Sequence, residues 1–369
     1  MSPRVRVLVC GVLPPPYFGH SMLYEMLMRS SFVEALDVIF LDMHFWSYET
    51  NKKVTGGKLF KLVKYFSQYL WRLALHRPQY VLYNISFYKM PFLKDFLFCA
   101  TGILLGKKVV IHDHGQYVRE LYDALPGWQQ AMLRWMLKHA AASIVMGEAV
   151  KPRYDGLMAP GKLFVVPGTA EDTKSVVLGD QRAVGGVNIL YFSHLSRDKG
   201  IFVAFDAVPL ILKGHRDVRL TFAGPIEDDA VAVRLETLQK EFPGRVSYLG
   251  YIDQSRERTA IFRSADIFIF PTMRDVFGLV LLHAMAEGVS IVASREGTIP
   301  EILPDADHGL LFAKGDACAL ASNVLALVTD EGRRRKMGQA NRARFEQCYS
   351  LGVYGKMMSD VFLKIDDEA

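Results

Sequence analysis

Residues 270–294 read FPTMRDVFGLVLLHAMAEGVSIVAS, and this stretch decides the fold. It parses as a strand end, a loop, a helix and a second strand. From Leu279 to Ala286 the helix is apolar nearly all round, interrupted only by His283. A helix of that composition sits between layers rather than on a surface. The preceding loop, Arg274-Asp275-Val276-Phe277-Gly278, leads to the unpaired N–H groups and the positive end of the helix macrodipole, which favour an anion. Gly278 lets a ligand approach the backbone. Two readings are open on this stretch alone: a phosphate or diphosphate at the helix start, or an ordinary buried helix after a turn.

The chain around it has 369 residues, half of them hydrophobic and 22% charged. That composition is globular, and the length suits two domains better than one core. A net charge of +5 does not call for a nucleic-acid partner. Cys10, Cys99, Cys318 and Cys348 are scattered, without paired or zinc-binding spacing. Free thiols in a reducing compartment and no metal site are expected. Met1 to Cys10 reads as a strand and not as a signal peptide. The longest apolar candidate for a membrane span, residues 91–105, is too short and carries Lys94 and Asp95. A cytoplasmic protein is expected, with peripheral attachment at the inner face of a membrane left open.

Val5 to Gly11 is a β-branched, apolar run suited to a buried parallel strand. Pro14, Pro15, Pro16, Tyr17, Phe18, Gly19, His20 and Ser21 follow, leading into a helix from about Met22. Strand, glycine loop and helix start are the parts of a ligand site, but the three-glycine dinucleotide spacing is missing, which argues against an NAD enzyme. Further strands are expected at Val38–Leu41, Tyr80–Asn84, Lys107–Asp113, Ala142–Met146 and Leu163–Val166. His112, Asp113, His114 and Gly115 close the strand from Lys107, and in an open α/β sheet ligands bind beyond the carboxyl ends of strands. His114 is a candidate ligand-lining residue on that ground, or else an inconsequential loop histidine.

Between Thr50 and Lys94 lie nine Lys or Arg residues, Lys52, Lys53 and Lys58 among them, and no Asp or Glu. Leu59, Leu62, Phe66, Leu70 and Leu73 recur at helical spacing, while Lys61, Lys64, Gln68 and Arg72 take another face. Such a helix either lies on an anionic membrane or docks on the sheet with a solvated basic face. Residues 171–186, polar and glycine-containing, form the expected linker between residues 1–170 and 187–349. Beyond the linker, strands are expected near 187–192, 218–223, 246–249, 266–270, 289–293 and 309–312, alternating with helices. Two doubly wound, Rossmann-like α/β domains facing a cleft follow, with a last helix from 350 that packs back on the first domain. Arg197 and Lys199, past the first strand of the second domain, are placed to clamp an anionic group.

From about residue 187 to 350 the sequence resembles the retaining GT-B-fold glycosyltransferases of family 4 (glycosyl transferases group 1). The resemblance is carried by Lys199-Gly200, Ala223-Gly224-Pro225, VSYLGYID from Val246, ADIFIFPT from Ala265, FGLVLLHAMAEGVSIVAS from Phe277, TIPEIL from Thr298 and HGLLFAKGD from His308. In the N-terminal half it is looser, resting on the prolines and Gly19 after the first strand and on His114-Gly115.

The resemblance implies a nucleotide-sugar donor, UDP- or GDP-linked, on the C-terminal domain. It implies a glycan or lipid-linked acceptor on the N-terminal one, and transfer with retention and no essential metal. Lys199 and the amides of Phe277, Gly278 and Leu279 match the family positions that meet the diphosphate charge. Gly19, His194, Arg197 and His283 complete the implied donor set, and His114, Asp275 and Lys199 the catalytic one. The chain departs from the family at several of these positions. Asp275 and His283 stand where two glutamates are usual, His194 stands where an arginine is usual, and Pro167-Gly168-Thr169 replaces an Asn-Gly. A nucleotide-sugar epimerase, or a non-catalytic subunit of the same fold that binds a partner or glycan, are the other readings.

Overall fold

The structure, a computed structural model, describes residues 4–15, 19–45, 56–85, 89–115, 117–172, 186–252 and 255–367. Pro16, Tyr17, Phe18, Lys52, Lys53 and most of the 171–186 linker lie outside them. The chain divides into two compact units, Met1–Gly168 with Leu351–Ala369, and Thr169–Ser350.

The first unit contains strands β1 (Arg6–Gly11), β2 (Asp37–Asp42), β3 (Tyr80–Ile85), β4 (Lys108–Asp113), β5 (Ala142–Val145) and β6 (Leu163–Val165). They form one sheet in the order β2-β1-β3-β4-β5-β6, and every pairing is parallel. Helices cross over between them, so central strands are covered on both faces. In β1 every residue after Arg6 is buried, which is why the strand reads as a continuous apolar run rather than an alternating one.

The second unit repeats the plan with β7 (Val187–Phe192), β8 (Val218–Ala223), β9 (Val246–Tyr248), β10 (Ile267–Phe270), β11 (Ser290–Ser294) and β12 (Leu310–Phe312). Its all-parallel order is β12-β11-β10-β7-β8-β9. Strand order reverses between β7 and β10, and in open α/β sheets ligands bind beyond the carboxyl ends of the strands at such a switch point. The helix Leu279–Ala286 packs between β-sheet and outer helices, with Leu281, Leu282, Ala284, Met285 and Ala286 buried.

The helix Gly56–His76 differs from its expected arrangement. Tyr65, Tyr69 and Leu73 are its buried residues, and Tyr69 donates a hydrogen bond to the Phe98 carbonyl at 3.2 Å. Of the apolar set read at helical spacing, Leu73 is buried, Leu62 and Phe66 pack against the core, and Leu59 and Leu70 are exposed. Tyr65 and Tyr69 bury large rings there, and the Tyr69 hydroxyl still finds an acceptor.

The last helix, Leu351–Asp367, belongs to the first unit. Phe362 is fully buried, edge-on to Phe32 (5.7 Å between ring centres) and to Tyr80 (5.4 Å). The Tyr80 hydroxyl donates to Asp366 at 2.9 Å, which ties the end of the helix to the first residue of β3. Phe362→Ala is expected to cost about 3–5 kcal/mol through the cavity it leaves. Loss of amide hydrogen-exchange protection in β1 and β3, with β10 and β11 unaffected, is the check.

Candidate functional site

The switch point of the second unit is closed by contact between two loops. The loop after β7 (residues 193–200) and the loop after β10 (residues 271–278) meet at Asp198, whose carbonyl accepts from Met273 N (2.9 Å), Arg274 N (3.0 Å) and Thr272 Oγ1 (3.1 Å). A Cβ on Gly200 would lie 1.8 Å from the Pro271 carbonyl oxygen, and its φ is +70°. Only glycine permits both the approach and the left-handed backbone. The Tyr191 hydroxyl lies beneath, 3.0 Å from the His194 carbonyl and 3.1 Å from that of Lys199. On the other side Ser294 Oγ donates to Thr272 O (2.6 Å) and Thr298 Oγ1 to Val276 O (3.0 Å). The loop carrying Asp275 is therefore held from the ends of β7 and β11 and from the segment after β11.

On this frame Lys199 and Asp275 meet at 2.5 Å, both half-buried. The other carboxylate oxygen of Asp275 accepts from Gly278 N at 3.0 Å. Gly278 itself has φ +71° and opens the helix without a side-chain cap of its own. Asp275 thus occupies the positive helix start and neutralises Lys199 at once. The chain's own carboxylate sits at the positive end of the helix.

The remaining residues are less uniformly placed. Phe277 is buried against Tyr349 (6.3 Å between ring centres), so only its backbone faces the helix start. Leu279 is the first residue of that helix. Arg197 ion-pairs with Asp228 at 3.6 Å and stacks on Phe202 at 4.5 Å, and His194 pairs with Glu227. Neither replaces Lys199 beside Asp275. His283, on the second turn of the Leu279–Ala286 helix, stacks on Phe262 at 5.9 Å. Burial, assisted by the Arg258 charge, pushes its pKa down to about 3, so the ring is neutral.

In the first unit, His114 follows β4 within a ring cluster. Its ring centre lies 4.0 Å from that of His112, 5.7 Å from Tyr24 and 6.5 Å from His20. Tyr24 Oη and His112 Nδ1 are 3.2 Å apart. Both ring nitrogens of His114 are shut off from solvent and have no hydrogen-bond partner among the described residues. Burial, then the neighbouring His112 and His20, holds its pKa well below the usual histidine range. A neutral imidazole with two unmatched nitrogens is costly unless something polar completes it. Asp113 turns away from this cluster, accepting from Tyr154 Oη (2.8 Å) and Gly115 N (2.7 Å), and burial raises its pKa to about 7. Gly19 begins the neighbouring helix Gly19–Arg29.

Sequence reasoning did not single out Tyr191, Asp198, Ser294 or Thr298. Each acts mainly through a backbone contact across the chain, and no spacing pattern announces such contacts. Tyr24 and His112 were likewise unmarked as partners of His114.

Residues 181–344, most of the second unit, match the family model described as glycosyl transferases group 1. The chain is similar to the glycogen synthase of Mycobacterium tuberculosis, 24% identical over 252 residues, covering 68% of this chain and 60% of the relative. It is similar to the phosphatidyl-myo-inositol mannosyltransferase of Mycobacterium leprae, 31% identical over 165 residues, 44% of this chain and 42% of the relative. These matches span less than two thirds of either relative's length. The Anabaena protein Alr3699/HepE, solved in complex with UDP, superposes with a TM-score of 0.70 at 13% identity, over 97% of this chain and 99% of that one. The fold is the GT-B fold, with two Rossmann-like units.

His283 gives a pH prediction. Its pKa is lower folded than the ordinary 6.5, so the unfolded chain binds the proton first as pH falls. The stability owed to the neutral ring is complete above about 6.5 and drains as pH drops toward about 3. Melting temperatures measured between neutral pH and about pH 5 should therefore fall less for His283→Gln than for the parent. Equal slopes would show that the ring is not held neutral.

Proposed function

We propose that the protein is a retaining glycosyltransferase that moves a sugar from a nucleotide-sugar to a glycan or lipid-linked acceptor. The observation that carries this is the pairing of Lys199 with the start of the Leu279–Ala286 helix at the β7/β10 switch point. A cation and several aligned N–H groups on a rigid frame are what a leaving diphosphate requires. Asp275 holds these contacts in the structure, and the diphosphate enters by taking them over.

In the proposed reaction the bond between the anomeric carbon and the diphosphate oxygen breaks, with the charge growing on that oxygen met by Lys199 and the amides of Gly278 and Leu279. The acceptor hydroxyl attacks from the face the diphosphate leaves, and its proton passes to a phosphate oxygen. The products are the glycoside and the nucleoside diphosphate. Lys199 and the helix start serve the leaving group without a metal ion. His283, a neutral ring able to accept one hydrogen bond, is assigned to the ribose hydroxyls, and His114 to the substrate-binding surface of the first unit.

UDP is the first donor nucleotide to test, because a protein of the same fold is solved with it, and GDP the second. The relatives are named for glycogen and for phosphatidyl-myo-inositol, a polysaccharide and a lipid. With the basic stretch at 52–94, this supports an acceptor presented at an anionic membrane, in assembly of cell-surface polysaccharide or lipopolysaccharide.

A thermal-shift screen of UDP-, GDP- and ADP-sugars tests donor binding, since a ligand that binds only the folded state raises the melting temperature. One nucleotide class should stabilise the protein; stabilisation by none would favour a non-catalytic subunit. Donor isomerisation without an acceptor would instead mark an epimerase. With the donor identified, Lys199→Ala should lower turnover on the order of a hundredfold or more while the melting temperature changes little. Transfer should also persist in EDTA, and its loss there would overturn the metal-independent mechanism.

A further inference from the structure

The Gly56–His76 helix carries two apolar faces, and the fold uses one. Tyr65, Tyr69 and Leu73 point into the core. Leu59, Phe60, Val63, Leu70, Trp71 and Leu75 are exposed, Phe60 by 70% and Trp71 by 58%. At 3.6 residues per turn these six fall within about 160° of the helix circumference, in a stripe about 24 Å long. The adjoining helix Lys89–Leu104 adds exposed Leu93, Leu97 and Leu104, spaced to share a face. Exposed side chains of this size rarely gather on a surface without a partner.

The chemistry of the surroundings selects the partner. From Gly56 to Lys94 the sequence contains no acidic residue; Lys61 and Arg72 flank one edge of the apolar stripe, and Lys64 lies just inside it. Protein interfaces deplete lysine at their apolar centres, whereas at a bilayer surface lysine and arginine stems lie along the acyl boundary with their charges among phosphates. Tryptophan also favours that boundary. Among the described residues no helix is long and apolar enough to cross a membrane, so this one would lie in the interface plane.

We propose that this face docks the first unit onto an anionic lipid bilayer. Leu59, Phe60, Val63 and Trp71 enter the acyl boundary, and Lys61, Lys64 and Arg72 meet the lipid phosphates. The inference deepens the membrane-side acceptor reading given above. It replaces simple electrostatic adsorption by shallow insertion, and its evidence lies on the surface of the first unit rather than in the transfer chemistry.

The test uses the full chain with vesicles of phosphatidylcholine alone and of phosphatidylcholine with phosphatidylglycerol, followed by sedimentation and tryptophan fluorescence. Binding to the anionic vesicles with a blue-shifted emission, only partly reversed by high salt, is expected. The triple variant Phe60→Ser, Val63→Ser, Trp71→Ser should partition at least about tenfold more weakly, because interfacial binding scales with buried apolar area. Its melting temperature should not fall, since all three side chains are exposed. Lys61→Gln, Lys64→Gln, Arg72→Gln should lose the preference for anionic vesicles. Equal partitioning of the apolar triple variant and the parent would overturn the proposal. So would self-association abolished by that variant without vesicle binding, which would make the face an interface between two copies. The nucleotide-sugar thermal shift, measured on the same variants, reports on the transfer reading separately: absence of any shift sinks that reading and leaves the vesicle result standing.

Discussion

The second unit depends on one close approach, that of the loop after β7 to the loop after β10. Gly200 passes beneath the Pro271 carbonyl at a distance no side chain would allow, and the Asp198 carbonyl gathers three donors from the opposite loop. Those contacts bring Lys199 to Asp275 and set the helix start behind them. A strand order that reverses at this point opens the crevice, and the loop contacts decide which groups face it. Replacing Gly200 would disturb the site without touching a charged residue.

The chain's own groups satisfy one another electrostatically at the site. Asp275 gives one oxygen to Lys199 and the other to Gly278 N, so the cation and the first amide share one carboxylate. A shorter acid than the glutamate of the family pattern suits that position, since one fewer methylene lets the carboxylate fold back on its own helix. The half-buried pair is held by a frame tied to β7 and β11, which limits the reorganisation needed when another anion takes its place. The first unit shows the reverse condition. His114 has two unmatched nitrogens in an aromatic cluster, a polar deficit that a hydroxyl-rich ligand would complete.

Much of the fold was legible because parallel strands buried on both faces leave uninterrupted apolar runs. Val5 to Gly11, Ile267 to Phe270 and Ser290 to Ser294 stand out for that reason, and the strand series on either side of the polar 171–186 segment matches the two sheets. Helices with a single apolar face were equally clear. The Gly56–His76 helix was not, because its leucines and aromatics compete for the core, and periodicity alone does not say which set wins. Tyr65, Tyr69 and Leu73 take the core, Leu62 and Phe66 pack beside them, and Leu59 and Leu70 are left on the surface.

The sequence by itself determined two doubly wound halves and a buried helix opened by a glycine loop after a strand. Local composition and spacing suffice for these, since strand burial, helix dipoles and glycine turns are properties of a few consecutive residues. Only the tertiary structure decided that Asp275 occupies the helix start, that Arg197 and His194 turn to Asp228 and Glu227, and that His114 lies unpaired among three aromatic rings. Each of these outcomes is a choice among partners far apart in the chain. Such choices are settled by loop contacts and burial, which sequence spacing does not encode.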